Sequence, residues 1–139
     1  MYSSIIELIK EYENKGDFTY TYVEDSVLFL TEAELGIKLP IEYVWFLKSY
    51  GHGGLDGIET LGVAKNKRLV FKDETIKYRA LGLPSNYIVI ENCDEWIYCI
   101  DSMSGKVVMW SLNAKGVDEA YNSFIDYLKD RIEDAIENM

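Results

Sequence analysis

Few side chains in the sequence could take part in catalysis, and the first candidate is a single histidine. His52 lies in the sequence GHGG after a densely aromatic stretch. A lone histidine in a loop could act as a general base or assist a nucleophile. Its neighbours favour a turn instead. Gly51 stands just past the last helically spaced residue, where a helix end favours a positive φ, and Gly53 and Gly54 allow a sharp reversal. We therefore interpret this segment as the end of a helix.

Other reactive groupings do not fit known site patterns. Asp56 occupies the last glycine position of a G-x-G-x-x-G spacing, and the loop lacks the Gly-Lys-Ser/Thr ending of a phosphate-binding loop. One histidine with Cys93 and Cys99 cannot supply closely spaced zinc ligands, and there is no G-x-S-x-G elbow. Asp94 and Glu95 are most simply solvated turn residues, with general acid/base chemistry as the alternative. We expect no cofactor, no metal and no enzymatic activity.

Charge is the most informative property of the 139-residue chain. Its 24 acidic and 14 basic side chains give a net charge of −10. The acidic excess is −7 in residues 1–60 and −7 in residues 91–139, whereas residues 61–90 carry +4. Phosphate backbones are bound mainly by Lys and Arg, so nucleic acid is disfavoured as a partner. A protein with a basic surface would be attracted instead.

Compartment and class follow from composition. The N-terminal residues are acidic where a signal peptide would be basic, and the longest apolar runs have five residues, against about 20 for a membrane-spanning helix. We expect a cytoplasmic protein with reduced cysteines and no membrane partner.

Hydrophobic periodicity predicts the elements that position these residues. Helices are expected at 4–15, at 26–35, from Pro40 through the aromatic stretch, from Asp73 to Leu81, and from Asp118 onward for about 20 residues. Strand-like patterns cover 55–63, 86–92, 95–101 and 106–111, with a short extended segment at 17–23. Together these elements predict a single α+β domain, residues 1–139, in which an antiparallel or mixed sheet has helices packed mainly on one face.

Two surfaces could meet a partner. Strand alternation puts Trp96 and Tyr98 on one sheet face, which could be core or, where an antiparallel sheet is left uncovered, interface. The last helix carries acids near its C-terminal end, where the helix dipole favours cations. These acids, Asp130, Glu133, Asp134 and Glu137, indicate either a fraying tail or an acidic docking surface.

Six segments in order resemble landmarks of the SUKH superfamily, specifically its Smi/Knr-type branch. They are AELGIKLPIEYVWFLKSYGHGG, LDGIETLG, LPSNYIVIEN, EWIYCID, VVMW and AYNSFIDYL, and the resemblance covers about residues 24–130. It implies an α+β fold and, for bacterial members, an immunity protein that neutralises a polymorphic toxin, often a nuclease. Yeast relatives are associated instead with regulation of cell-wall synthesis. The matching positions look like fold determinants: Leu39, Pro40, Tyr43, Phe46, Leu47, Tyr50, Gly51, Gly54 and Gly57.

The charge and the resemblance lead to one hypothesis. A toxin nuclease needs a cationic cleft for phosphate, so an acidic inhibitor gains complementary potential and faster encounter. We expect a cognate protein toxin with a basic surface to dock on the turns and sheet face around Glu91, Asp94, Glu95, Trp96, Tyr98 and Asp101. A regulatory scaffold with a non-toxin partner is the alternative.

Overall fold

The computed structural model describes residues 1–113 and 116–139, and these residues form five helices and one four-stranded sheet. The elements in chain order are α1 Ser3–Tyr12, α2 Asp25–Leu35, α3 Ile41–Ser49, α4 Val70–Arg79, β1 Tyr87–Asn92, β2 Ile97–Asp101, β3 Val107–Trp110, β4 Asp118–Tyr121 and α5 Phe124–Glu137. The predicted α+β class is confirmed.

The sheet is an antiparallel meander in the order β1, β2, β3, β4. Its central strand β2 has four consecutive buried residues, from Ile97 to Ile100, so both faces of that strand are covered. A register irregularity between Val89 and Glu91 interrupts the β1 ladder. Helix α4 lies along β1, where the Thr75 hydroxyl accepts a hydrogen bond from the Val89 N–H at 2.9 Å.

The last strand corrects the sequence prediction. Residues 118–121 were expected to begin the long closing helix, but they pair with β3 as strand β4. The helix begins only at Phe124, because Ser123 is its N-cap and accepts a hydrogen bond from the Asp126 N–H at 3.1 Å. The open edge of β3 offers backbone partners to this segment, and that non-local pairing outweighs the local helical pattern.

Two further boundaries differ from expectation. Helix α4 begins at Val70 and so includes Asp73 in its first turn, although Asp73 was predicted to precede the helix as its cap. The stretch 55–63, predicted as a strand, forms no named strand within the described chain. It contributes to isolated bridges, of which one joins Gly53 to Thr60.

An aromatic core joins the helices. Tyr43 and Phe46 of α3 pack against Phe124 of α5 with ring centroids 5.3 and 5.8 Å apart. The buried Tyr43 hydroxyl donates a hydrogen bond to the Leu61 carbonyl at 2.6 Å, which ties the helical layer to the loop before α4. In the described part of the chain, no helix combines the length and apolar character needed to cross a membrane.

The glycine loop is fixed by close backbone contacts. Gly51 has φ +77°, as expected just past the end of α3, and a Cβ there would lie 2.3 Å from the Thr19 hydroxyl oxygen. A Cβ on Gly54 would lie 1.6 Å from the Ile58 carbonyl oxygen. Glycine is needed at these two positions because neighbouring chain segments pass where a side chain would begin.

Candidate functional site

A tight turn joins β1 to β2 and exposes the carboxylates of Asp94 and Glu95. The side-chain oxygen of Asn92 accepts a hydrogen bond from the Asp94 N–H at 2.8 Å, which is a common turn interaction of asparagine. Asp94 has φ +66°, a left-handed conformation that Asp tolerates better than most residues. The Cys93 N–H donates to the Trp96 carbonyl at 2.9 Å and closes the turn.

Beside this turn lies a surface cleft of about 190 Å³, here called the turn cleft. Its aromatic and acidic lining consists of Tyr78, Asp94, Glu95, Trp96 and Trp110. Tyr78 comes from α4 and Trp110 from β3, and their rings meet edge to face with centroids 6.2 Å apart. Three parts of the fold, namely α4, the β1–β2 turn and the end of β3, therefore build the cleft together.

The turn cleft can hold a cationic side chain. Aromatic faces attract Lys and Arg, by about 0.5–1 kcal/mol at exposed sites and about 2 kcal/mol when desolvated. Neither Asp94 nor Glu95 forms a salt bridge within the described chain, so both carboxylates can accept hydrogen bonds from a bound cation.

Two of the six predicted contact residues, Glu91 and Tyr98, lie in the interior. The Glu91 side chain is 5% exposed, and its carboxylate accepts hydrogen bonds from Arg131 Nε at 2.9 Å and Arg131 Nη2 at 2.5 Å. The Tyr127 hydroxyl donates to the same carboxylate at 2.7 Å. The Arg131 guanidinium lies over the Tyr98 ring, 5.4 Å from its centroid. These residues form a buried cluster that joins α5 to the sheet.

Burial and the charge of Glu91 shift the pKa values of Arg131 and of the neighbouring Cys93. Burial by itself would lower the pKa of Arg131, but hydrogen bonding and attraction to Glu91 outweigh burial and raise that pKa. Burial, reinforced by the Glu91 charge, raises the pKa of Cys93 to about 12. The Cys93 thiol is therefore protonated at neutral pH and is a poor nucleophile.

Asp101 lies at the opposite end of β2 from the turn cleft. The length of β2, Ile97–Asp101, separates it from the turn by roughly 13 Å of extended chain. Burial would raise the pKa of Asp101, but hydrogen bonds from the Met103 N–H and the Asn86 side chain outweigh burial, and the pKa is lowered. Of the six predicted residues, the structure thus brings Asp94, Glu95 and Trp96 together and separates them from Asp101.

The His52 imidazole is held in place by contacts with residues 59–62. Its Nδ1 accepts a hydrogen bond from the Gly62 N–H at 3.0 Å, and its Nε2 lies 3.6 Å from the Glu59 carboxylate. Burial lowers the pKa of His52, partly opposed by Glu59. This hydrogen bond connects the loop at residues 51–54 to Gly62, ten positions after His52. Within residues 1–113 and 116–139, no group of three His, Cys, Asp or Glu side chains could hold a metal ion.

Sequence reasoning missed two kinds of residue. Tyr78 and Trp110 were assigned to elements but not to the site, because only the packing of α4 against the sheet brings them to the turn. Arg131 was missed as the partner of Glu91, 40 positions earlier in the chain. Its spacing was the available signal, since Arg131 lies three and four positions after the apolar residues Leu128 and Tyr127, at the edge of the helix's apolar stripe.

The fold and the turn cleft define a small α+β domain with an acidic, aromatic surface depression. The family model of SUKH-5, SMI1-KNR4 cell-wall, matches residues 2–133. The chain therefore belongs to this family, and the resemblance noted in its sequence is confirmed.

One solved structure extends the comparison. The crystal structure of a protein from Pseudomonas syringae pv. tomato superposes with a TM-score of 0.73 at 21% sequence identity. The match covers 92% of this chain and 96% of that chain. At this identity the likeness shows a common fold, and it carries no information about partners.

Proposed function

We propose that this chain is a bacterial immunity protein that binds a cognate toxin, most simply a nuclease, and neutralises it by occupying its surface. The observation that carries the proposal is the turn cleft, where Asp94 and Glu95, which form no salt bridge among residues 1–113 and 116–139, stand beside three aromatic rings. Membership of the SUKH-5 family and the net charge of −10 support it. Inhibition of this kind requires no chemistry from the inhibitor.

The proposed docking mode places a toxin Lys or Arg side chain in the turn cleft. A nuclease surface that holds phosphate is rich in such side chains, and the acidic chain would both accelerate encounter and fix orientation. Trp96 is half-buried against Tyr98, with ring centroids 6.4 Å apart, and so offers a supported aromatic wall. Tyr and Trp are among the residues that most often dominate binding energy at interfaces.

Co-expression rescue tests the proposal. The chain is paired with the nearest toxin-like C-terminal domain from its source genome, and cell survival and co-purification are measured. We expect rescue by the unaltered chain and its loss with the double variant Asp94→Lys and Glu95→Lys. The double variant Glu7→Lys and Glu11→Lys is the matched control, because it makes the same charge change at exposed positions on α1.

The control separates general attraction from docking. If both variants lose rescue equally, net charge alone explains binding, and the turn cleft is not the site. If the turn variant is folded and still rescues, docking at the cleft is refuted. Thermal unfolding of each variant establishes that the fold is retained.

An intracellular regulatory scaffold is the second candidate. The cell-wall description of the family favours it, since it points to a role outside toxin neutralisation. A toxin-encoding neighbour on the chromosome supports the first candidate. Failure of both rescue and complex formation with folded protein supports the scaffold.

A further inference from the structure

Helix α2 exposes more apolar surface than a solvated helix should. Its buried stripe consists of Leu28, Thr31 and Leu35, yet Phe29 is 69% exposed and Leu30 is 62% exposed. An amphipathic surface helix normally presents polar residues opposite its buried stripe. Large apolar side chains on the outer face therefore indicate a surface that is covered in the working state.

A groove runs between α2 and the start of α3. It has a volume of about 230 Å³ and apolar walls formed by Leu28, Phe29, Leu39, Ile41 and Val44. Small-molecule pockets usually measure about 300–1,000 Å³, so this groove is better matched to one or two anchoring side chains. It shares no residue with the turn cleft.

The charged side chains that line this groove are Asp25, Glu32 and Lys38. The segment 24–35 contains four acids and no base. Asp25 pairs with Lys48 and Glu34 pairs with Lys72, whereas Glu24 is exposed and forms no salt bridge within the described chain. With Glu32 and Lys38 in the lining, and with Glu24 and Lys48 beside it, the groove has three acids and two bases, a local charge of −1.

The charge selects between two occupants. A second copy of the chain would bring this acidic segment against another acidic segment, and each copy carries −10 overall. Like charges across an interface oppose association. A partner with positive charge beside its apolar side chains gains from both features of the groove.

We propose that the α2–α3 groove is a docking site for a partner protein that presents large apolar side chains flanked by Lys or Arg. The partner inserts its apolar anchors against Phe29 and Ile41, and its basic groups lie near Glu24 and Glu32. The assignment does not depend on the turn cleft or on a toxin partner, and it gives the chain a second contact surface.

The test uses the full chain and a fluorescein-labelled peptide of Leu and Lys, with leucines at helical spacing, as the probe. Two matched peptides carry Ser in place of Leu or Glu in place of Lys. Fluorescence anisotropy at physiological ionic strength gives the dissociation constants. We expect the Leu–Lys peptide to bind at least tenfold more tightly than either matched peptide.

Charge-preserving variants locate the binding. The double variant Phe29→Ser and Ile41→Ser should weaken binding of the Leu–Lys peptide at least tenfold. The double variant Met103→Ser and Leu81→Ser removes exposed apolar side chains that lie outside both the groove and the turn cleft, and it should change binding by less than twofold. All four side chains are exposed, so both variants should fold, and circular dichroism verifies it. The single variant Phe29→Gln serves if the first pair is unfolded.

Three results would overturn the assignment. They are absence of peptide binding, equal losses in the two double variants, and equal affinity for the acidic peptide. Sedimentation equilibrium can give a fourth. If the unaltered chain is a dimer and the double variant Phe29→Ser and Ile41→Ser is a monomer, a second copy of the chain occupies the groove.

Discussion

Replacing Arg131 by Met tests the buried charge cluster that joins α5 to the sheet. The substitution keeps much of the apolar volume of the side chain. It removes the two charge-assisted hydrogen bonds that Arg131 donates to the Glu91 carboxylate, at 2.9 and 2.5 Å. The Glu91 side chain is almost wholly buried, so water cannot replace these donors. Among the described residues, the hydroxyl of Tyr127 and the thiol of Cys93 are the donors that remain to Glu91.

The expected magnitude follows from this geometry. Removing one member of a buried ion pair costs about 3–5 kcal/mol, because the other charge is left uncompensated. Two donors remain to Glu91, so we expect the free energy of unfolding to fall by about 3 kcal/mol, at the lower end. With a urea slope of about 2 kcal/mol per molar, the unfolding midpoint should fall by about 1.5 M.

Urea unfolding followed by tryptophan fluorescence measures the effect. Arg68→Met is the matched control, because Arg68 pairs with Asp73 on the surface with both side chains about half exposed. Such surface pairs contribute about 0–1 kcal/mol. The double variant Arg131→Met and Glu91→Leu should recover much of the loss, since an apolar pair can replace a buried ion pair.

Two results would refute this reasoning. A loss with Arg131→Met no larger than with Arg68→Met would mean that the buried pair is solvated. A double variant with Glu91→Leu that is no more stable than Arg131→Met alone would mean that the loss comes from packing and not from an uncompensated carboxylate.

Two further perturbations test the glycine loop. Burial lowers the pKa of His52 despite the charge of Glu59, so the unfolded chain binds the proton more tightly. Stability relative to His52→Asn should be constant above about pH 6.5 and should fall as the pH decreases toward the folded pKa. Urea titrations at several pH values measure this, and an imidazole NMR titration midpoint at or above 6.5 would contradict it. Gly54→Ala would set a Cβ 1.6 Å from the Ile58 carbonyl oxygen, so we expect a loss of about 2 kcal/mol or more in unfolding free energy. At Gly116 an added Cβ would meet no atom of the described residues within 4 Å, so Gly116→Ala should change stability by less than about 0.5 kcal/mol, and equal losses in thermal unfolding would argue against the steric explanation.

The sequence by itself determined the class of fold. Period-two patterns around Val89, Cys99 and Val108 predicted β1, β2 and β3, because the alternation of side chains along a strand is a local property of the sequence. Helical spacing and caps likewise located α1, α2 and α3 to within a few residues. The ordered landmarks were sufficient for the family, which the comparison confirms.

Only the tertiary structure decided which residues share a site. Glu91 and Asp94 are three positions apart, yet one is buried against Arg131 and the other is exposed at the turn. Strand alternation cannot predict this, because burial of Glu91 depends on where α5 packs, and that helix begins more than 30 residues later. Strand β4 was likewise not predictable from its own sequence, since its backbone partners lie on β3. Contacts between distant segments carry no local signature, so the turn cleft, the buried ion pair and the α2–α3 groove became visible only in the folded chain.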